Sequence, residues 1–479
     1  MAYKHGVYVS EVPTSVVPMT ETDAGLPVVF GTAPVHLATE PAAANRPQIC
    51  YSYDEAVKAF GYSSDWKKYT LCEVLYSQFS LFARGPVVLV NVLDPKKHKK
   101  HTADQSVTLT DGQATIKDAV LVDTLEVKKS DGTSSLTKGT DYEAEHDDDG
   151  NLVLTILAKG VTGTVNVSYD ALDATAVTAD DIIGGVDTDT GAYKGLECLN
   201  QVFPLTGLIP GFVLAPGWSD NPTVAAVMVA KAANINEHFR ALALTDISTK
   251  EVKKYSDAPD WKKQNNYTSA NQVTLWPCFK LGDKVFHGST ELLGVAATVD
   301  SDNDDIPYVS PSNHSAQGNG LCLEDGTEVI LGPEQANYLN GQGIVCGLNF
   351  MGGLKIWGNR TGCFPSTTDP KDAFIPIRRM FNWVYGKVVT TFWSQVDGPV
   401  TKRLIQTVAD SVNIWLNGLT AMGVILGGRV EFLSDENPTT DLEDGIVRFH
   451  IYLTPPPAGR EIDMVMEYDV NYIQNLFEQ

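Results

Sequence analysis

The segment Gly85-Pro-Val-Val-Leu-Val-Asn-Val92 is almost unbroken apolar, largely β-branched sequence. A strand with no polar alternation has no face to give to water, so it must be covered on both sides. That favours a sheet packed between helices, and the flanking sequence supplies both. Leu26-Pro-Val-Val-Phe-Gly31 is a second buried strand. Ser52–Phe60 reads as a short helix with Ser52 or Asp54 near its N-cap. In Thr70–Phe82, Leu71, Val74, Leu75, Phe79 and Phe82 fall on one helical face. Further on, the strand Gly211-Phe-Val-Leu-Ala-Pro216 is followed by Ser219-Asp220-Asn221-Pro222. These are capping side chains with a proline at the first helical position. The helix Thr223–Ala233 and the strand Arg240–Thr245 complete a β-turn-α-β unit, which predicts a parallel pair with a crossover helix. Glu334–Leu339 reads as a short helix and Ile344–Asn349 as a strand.

This α/β pattern is interrupted. After Lys96-Lys-His-Lys-Lys100 come short alternating runs at Ser106–Thr110, Val120–Val127, Leu152–Leu157 and Val165–Tyr169. Asp-Gly pairs stand at 111–112, 131–132 and 149–150. Such spacing predicts a small all-β sandwich or barrel. Charge marks the same segment: residues 101–180 carry 5 basic and 15 acidic side chains, whereas residues 1–100 carry 10 and 9. The predicted architecture is a mixed α+β and α/β multidomain chain. Residues 1–25 form an N-terminal arm, 26–100 with 179–369 an α/β core, and 101–178 an inserted β domain. Residues 370–460 form a C-terminal α+β domain and 461–479 a C-terminal arm.

In the C-terminal part, Ala373–Val389 reads as mostly helical. Val400–Leu419 is amphipathic, with Leu404, Val408, Val412, Trp415 and Leu419 on one face. Arg429–Phe432, Gly445–Leu453 and Glu461–Val470 read as strands, the last two as long members of an antiparallel sheet. Gly6-Val-Tyr-Val-Ser-Glu-Val12 alternates apolar and polar residues and stands alone before Pro13. Strands at both chain ends need partners, within the chain or on a neighbour. If identical subunits exchange them, the contact propagates into rings or helices.

The 479 residues suggest about three domains at roughly 150 residues each. The net charge of −23 disfavours nucleic-acid binding through a broad basic surface. Seven cysteines without CxxC spacing argue against a disulfide framework or zinc ribbon and fit a reducing cytoplasmic origin. No apolar leader is read in MAYKHGVYVSEVP, and the apolar runs fall far short of a bilayer span, so stable membrane insertion is not expected. Asp300-x-Asp302-x-Asp304 resembles the start of a calcium loop, but Asp305 replaces its glycine and Pro311 its last ligand. Ser219, Asp220 and Asp246 at strand ends could mimic an α/β active site, although helix capping explains the first two. The Lys96–Lys100 run, with His98 and His101, reads as an exposed loop. No catalytic set, metal spacing or cofactor motif emerges, so neither an enzyme activity nor a cofactor is expected. Two alternatives stay open: a hydrolase-like enzyme with a carbohydrate-binding insert, or a receptor-binding adhesin.

Several segments, in order, resemble the contractile tail sheath proteins of bacteriophages and related injection machines. They are HGVYVSEV at 5–12, LPVVFGTAP at 26–34, Val177–Gly191 leading into GLECL at 195–199, and Ile209–Pro216. Trp357-Gly-Asn-Arg-Thr361 and the block from IRRMFNW at 377–383 to Thr454-Pro-Pro456 complete the series. The resemblance covers most of the chain outside the insert. It implies a subunit of hexameric rings stacked helically around a tail tube, with tube, baseplate and tail terminator proteins as partners. Assembly in the host cytoplasm, a place in the virion tail and no need for nucleotide are implied likewise. It further implies that terminal arms pair with the C-terminal sheets of neighbours and flex as hinges on contraction. The matching arm residues are Val7, Tyr8, Val9 and Val12 at the front and Ile462, Met464, Val465 and Met466 at the back. Val447, Phe449, Ile451 and Leu453 would form the acceptor sheet. Residues 371–403 hold six basic and two acidic side chains, and Arg378, Arg379, Lys402 and Arg403 are candidates to face an acidic tube.

Overall fold

The continuous apolar runs become one central sheet. A computed structural model of the chain describes residues 17–20, 25–147 and 149–474. In chain order the strands are β1 (Pro27–Gly31), β2 (Gln48–Cys50), β3 (Val87–Asn91) and β4 (Phe212–Leu214). They continue with β5 (Leu242–Asp246), β6 (Gln272–Leu275), β7 (Ile344–Asn349) and β8 (Leu354–Trp357). Their spatial order is β2-β3-β1-β4-β5-β6-β7-β8. From β3 to β7 all neighbours are parallel, while β2 and β8 are antiparallel edges. Every residue of β1, β3 and β5 is buried, as double-sided coverage requires. Burying each Val or Leu contributes about 1.5–3 kcal/mol.

The predicted β-turn-α-β unit forms, with Asn221 as N-cap accepting from Thr223 N at 2.9 Å and Pro222 at N1. The helix from Leu71 continues beyond Leu75 as a wider π-type turn, Tyr76–Leu81. Some helices were not legible in the sequence, the longest being α1 (Gly288–Ser301). It is buried on nearly every side, so no polar stripe marks its period. Gly294 lets it approach Phe82, because a Cβ there would lie 2.1 Å from the ring.

Between Lys99 and Leu172 the chain forms two further sheets. Lys99–Thr108, Thr164–Leu172, Glu126–Lys129 and Ser135–Leu136 make one; Gln113–Ile116, Leu152–Ile156 and Tyr142–His146 make the other. Ile116, Val127, Leu152, Leu154, Val165 and Val167 are buried between them. Gly112, Gly132 and Gly150 of the Asp-Gly pairs all take positive φ, the conformation that tight turns demand of them. The basic run before this unit is not a wholly exposed loop. His98 is buried and its Nδ1 accepts from Asp94 N at 3.0 Å, while the first long strand already begins at Lys99.

The C-terminal part packs α2 (Ile375–Phe392) and α3 (Lys402–Ala421) against a two-stranded sheet. Thr401 caps α3 by accepting from Leu404 N at 3.1 Å. Met380, Trp383 and Val384 meet Val412, Leu416 and Leu419, joined by Ile306 from the segment after α1. The sheet is β9 (Gly427–Glu431) with β10 (His450–Thr454), antiparallel from Gly427↔Thr454 to Glu431↔His450. The sequence-based pairing of Gly445–Leu453 with Glu461–Val470 is therefore corrected. The partner is β9, and residues 461–469 form no strand among the described residues. No strand pairs with them among the described residues.

Candidate assembly surfaces

An antiparallel pair alternates between residues that exchange ladder bonds and residues whose main-chain groups point outward. Val430 N donates to Asn413 Oδ1 at 2.9 Å, and Asn413 Nδ2 donates to Val430 O at 3.2 Å. Val430 therefore faces away from β10, and its outer edge is covered by an amide from α3. Its partner Ile451 has the same outward parity on the other side, as does Leu453 opposite Gly428. Neither Ile451 nor Leu453 bonds a third strand or a side chain among the described residues. The side chains of Phe449, Ile451 and Leu453 meanwhile pack half-buried on the α2–α3 cluster. The sheet is thus anchored below, covered at Val430 of β9 and open at Ile451 and Leu453 of β10. Two of the four predicted acceptor residues, Ile451 and Leu453, lie in β10; Val447 and Phe449 precede it.

The C-terminal segment has the complementary character. Ile462, Met464, Met466, Tyr468 and Val470 alternate with Glu461, Asp463, Glu467 and Asp469, broken only by Val465. Ile462, Met464, Val465 and Met466 are 81, 85, 95 and 95% exposed. Among the described residues nothing covers these apolar side chains. Val7, Tyr8, Val9 and Val12 lie outside the described residues.

The basic candidates separate into two pairs. Arg378 and Arg379 are only 8 and 4% exposed, which corrects their assignment to a tube-facing surface in this subunit. Arg379 grips both carboxylate oxygens of Asp300 and lies over the Phe212 ring at 4.5 Å. Arg378 Nη1 donates to Asp372 Oδ1 at 3.1 Å. The sequence could not display these partners, since Asp300 comes from α1 of the central unit. The same bond removes Asp300 from any calcium loop. Lys402 and Arg403 are exposed at the start of α3 and form no ion pair among the described residues.

The look-alike active site is a buried structural network. Ser219 Oγ lies 3.2 Å from Asp246 Oδ2, and Ser289 Oγ donates to the same oxygen at 2.5 Å. The nearby His287 is paired with Glu73 instead, Nδ1 to Oε2 at 2.7 Å. Burial alone would lower the His287 pKa, but the Glu73, Asp246 and Asp220 carboxylates outweigh it and hold the imidazole at about 10. A histidine charged at neutral pH is no base, and Ser219 is fully buried. Asp220 is likewise buried enough to raise its pKa. Among the described residues no group of three or more His, Cys, Asp or Glu is placed to hold a metal. No helix there is long and apolar enough to cross a membrane. All seven cysteines are buried and free.

No protein-family model matches the chain. It is similar to the tail sheath protein of Burkholderia phage BcepMu, 28% identical over 97% of this chain and 98% of that protein. It is also similar to the tail sheath protein of Escherichia phage P2, 25% identical over 63% of this chain and 74% of that one. Among solved structures, the sheath complex of the extracellular contractile injection system PVC in its contracted state aligns with TM-score 0.60. The identity is 14%, covering 98% of this chain and 99% of that one. The sheath tail protein of Desulfitobacterium hafniense aligns with TM-score 0.52 at 10% identity, covering 89 and 93%.

Proposed function

We propose that this chain, a relative of the contractile tail sheath proteins and a structural subunit of such a sheath, assembles as hexameric rings stacked around a tail tube and contracts to drive that tube through a host envelope. The observation that carries the mechanics is the mismatch between β10 and the C-terminal segment within one subunit. The sheet has an edge without a strand, and the chain has a strand-patterned segment without an edge among the described residues. Exchange between neighbours satisfies both, as β-augmentation does elsewhere, and identical subunits then propagate the contact. Residues 461–470 and the N-terminal Gly6–Val12 are the donated strands, and the β10 edge is the acceptor. Main-chain pairing of this kind survives reorientation of the domains provided the linkers bend. Lys402 and Arg403 are the candidate contacts to an acidic tube. The baseplate and a terminator protein bound the stack at its ends. The sheath belongs to the virion tail and assembles in the host cytoplasm. No enzymatic step and no cofactor is part of this reading; the energy of contraction is stored in assembly.

Deleting residues 1–12 tests it. The truncated chain folds with an unchanged circular dichroism spectrum, yet electron microscopy shows only small particles where the full chain forms hollow tubules or stacked rings. Normal tubules from the truncated chain would sink the arm mechanism.

A further inference from the structure

Residues 17–20 do not run beside β1, the strand that follows them in sequence. They cross the C-terminal helices: Val17 N donates to Ser411 Oγ of α3 at 2.8 Å, and Thr20 N donates to Thr391 Oγ1 of α2 at 3.0 Å. Val17 and Met19 are half-buried while Pro18 and Thr20 are exposed, so the segment lies with one side against the helix pair. Three residues of extended chain span roughly 10 Å, which matches the separation of two packed helices. The segment therefore steps from one helix to the other.

The two acceptors are unusual for helix hydroxyls. Ser411 Oγ donates its proton to Thr407 O at 2.6 Å, and Thr391 Oγ1 donates to Lys387 O at 2.7 Å. With the proton committed to the carbonyl one turn earlier, the remaining lone pairs point away from the helix, available to an outside N–H. Thr298 and Thr420 make the same back-bond and are more exposed. Ser411 and Thr391 are 2 and 5% exposed. A buried hydroxyl oxygen with an N–H aimed at it is a fixed point, and two such points define a direction.

We propose that Ser411 and Thr391 form a two-point clasp that fixes where the N-terminal arm leaves the subunit, making them positioning residues for arm donation. This rests on the arm mechanism above. It sets the root of the proposed arm at Val17. It also roots that arm on the body that carries β10, although the chain enters β1 of the central unit directly afterwards. The sequence separation of 394 residues between Val17 and Ser411 hides the contact from any local pattern.

The test uses the full-length, unassembled chain with Ser411→Ala and Thr391→Val together, and with Ser411→Thr and Thr391→Ser as the conservative pair. Hydrogen exchange of the peptide covering residues 14–21 should accelerate at least tenfold in the first variant and stay near the parent rate in the second. Sheath polymerisation, followed by light scattering, should slow at least fivefold in the first variant only. Circular dichroism confirms folding, and each single substitution should give an intermediate exchange rate if the double variant is unstable. Equal exchange in parent and variant overturns the clasp. Faster exchange with unchanged polymerisation overturns its positioning role. Failure of the arm mechanism is separately visible: the chain lacking residues 1–12 would then polymerise normally, which removes the positioning role whatever the exchange shows.

Discussion

The outer edges of β8 and β10 are both rows of main-chain donors and acceptors, and they are treated in opposite ways. At β8 the segment 313–316 lies alongside. Asn313 N donates to Ile356 O at 2.7 Å, Ala316 N to Leu354 O at 3.0 Å, and Ile356 N to His314 O at 3.0 Å. The opposite edge, β2, is only three residues long. At β9 the amide of Asn413 does the covering. Along β10 the outward groups of Ile451 and Leu453 have no partner among the described residues. An uncovered edge is a hazard for a monomer, and the proposed strand exchange would cover this one. The central sheet's β8 edge is covered within the subunit, whereas the small sheet is the one the proposed exchange would extend.

Proline distinguishes the two kinds of main-chain group. Leu453→Pro removes an outward N–H and no β9 bond, whereas Tyr452→Pro removes a ladder bond to Arg429. Leu453→Pro should abolish sheath formation while the monomer stays folded. Leu453→Ala, with the same packing loss but the N–H intact, should still assemble. Tyr452→Pro should lose near-ultraviolet dichroism of the C-terminal part. Assembly of the Leu453→Pro chain at the parent rate would return β10 to the closed class.

The next largest effect lies on the closed side. Arg379→Ala leaves Asp300 buried without its partner and should lower unfolding stability by about 3–5 kcal/mol in urea titration. Arg379→Met with Asp300→Leu should recover most of that. A loss below ~1 kcal/mol in the single variant would show that the pair is not buried in solution.

A smaller effect is set by pH. The folded-state pKa of His287 is raised from 6.5 to about 10. Its ion pair therefore stabilises fully below about pH 6.5, and this is lost as pH rises through 10. Tm should fall by several degrees more between pH 7 and 10 in the parent than in His287→Gln. Parallel slopes would remove His287 from the network. The smallest effect should come from Lys402→Glu with Arg403→Glu. These leave the monomer Tm within a degree or two, and tube-templated assembly weakens more at low salt than at high salt. Salt-independent weakening would refute a charge contact.

What the sequence showed and hid follows from the same contrast. β1, β3 and the β4–β5 unit were legible because burial on both faces leaves a run of Val and Leu that needs no partner to be recognised. The buried α1 was not, since a helix surrounded by protein loses its amphipathic period. Arg378 and Arg379 looked like a surface patch because Asp372 and Asp300 become their neighbours only in three dimensions. The tail alternates as a strand should, so the pattern was visible, but pairing is a property of two segments and no strand pairs with it among the described residues. Asn413, Ser411 and Thr391 gave no signal at all. A single polar side chain inside an amphipathic helix is ordinary until the main chain it meets is known.

The amide of Asn413 has a consequence for how large the small sheet can grow. A two-stranded ribbon with both flanks free could recruit strands from either side, and copies could stack indefinitely into a fibre of the amyloid kind. In the proposed exchange, the Asn413 amide on Val430 would bias recruitment toward the β10 flank. That asymmetry gives the contact a head and a tail. In the proposed sheath such an asymmetry would give the polymer a polarity.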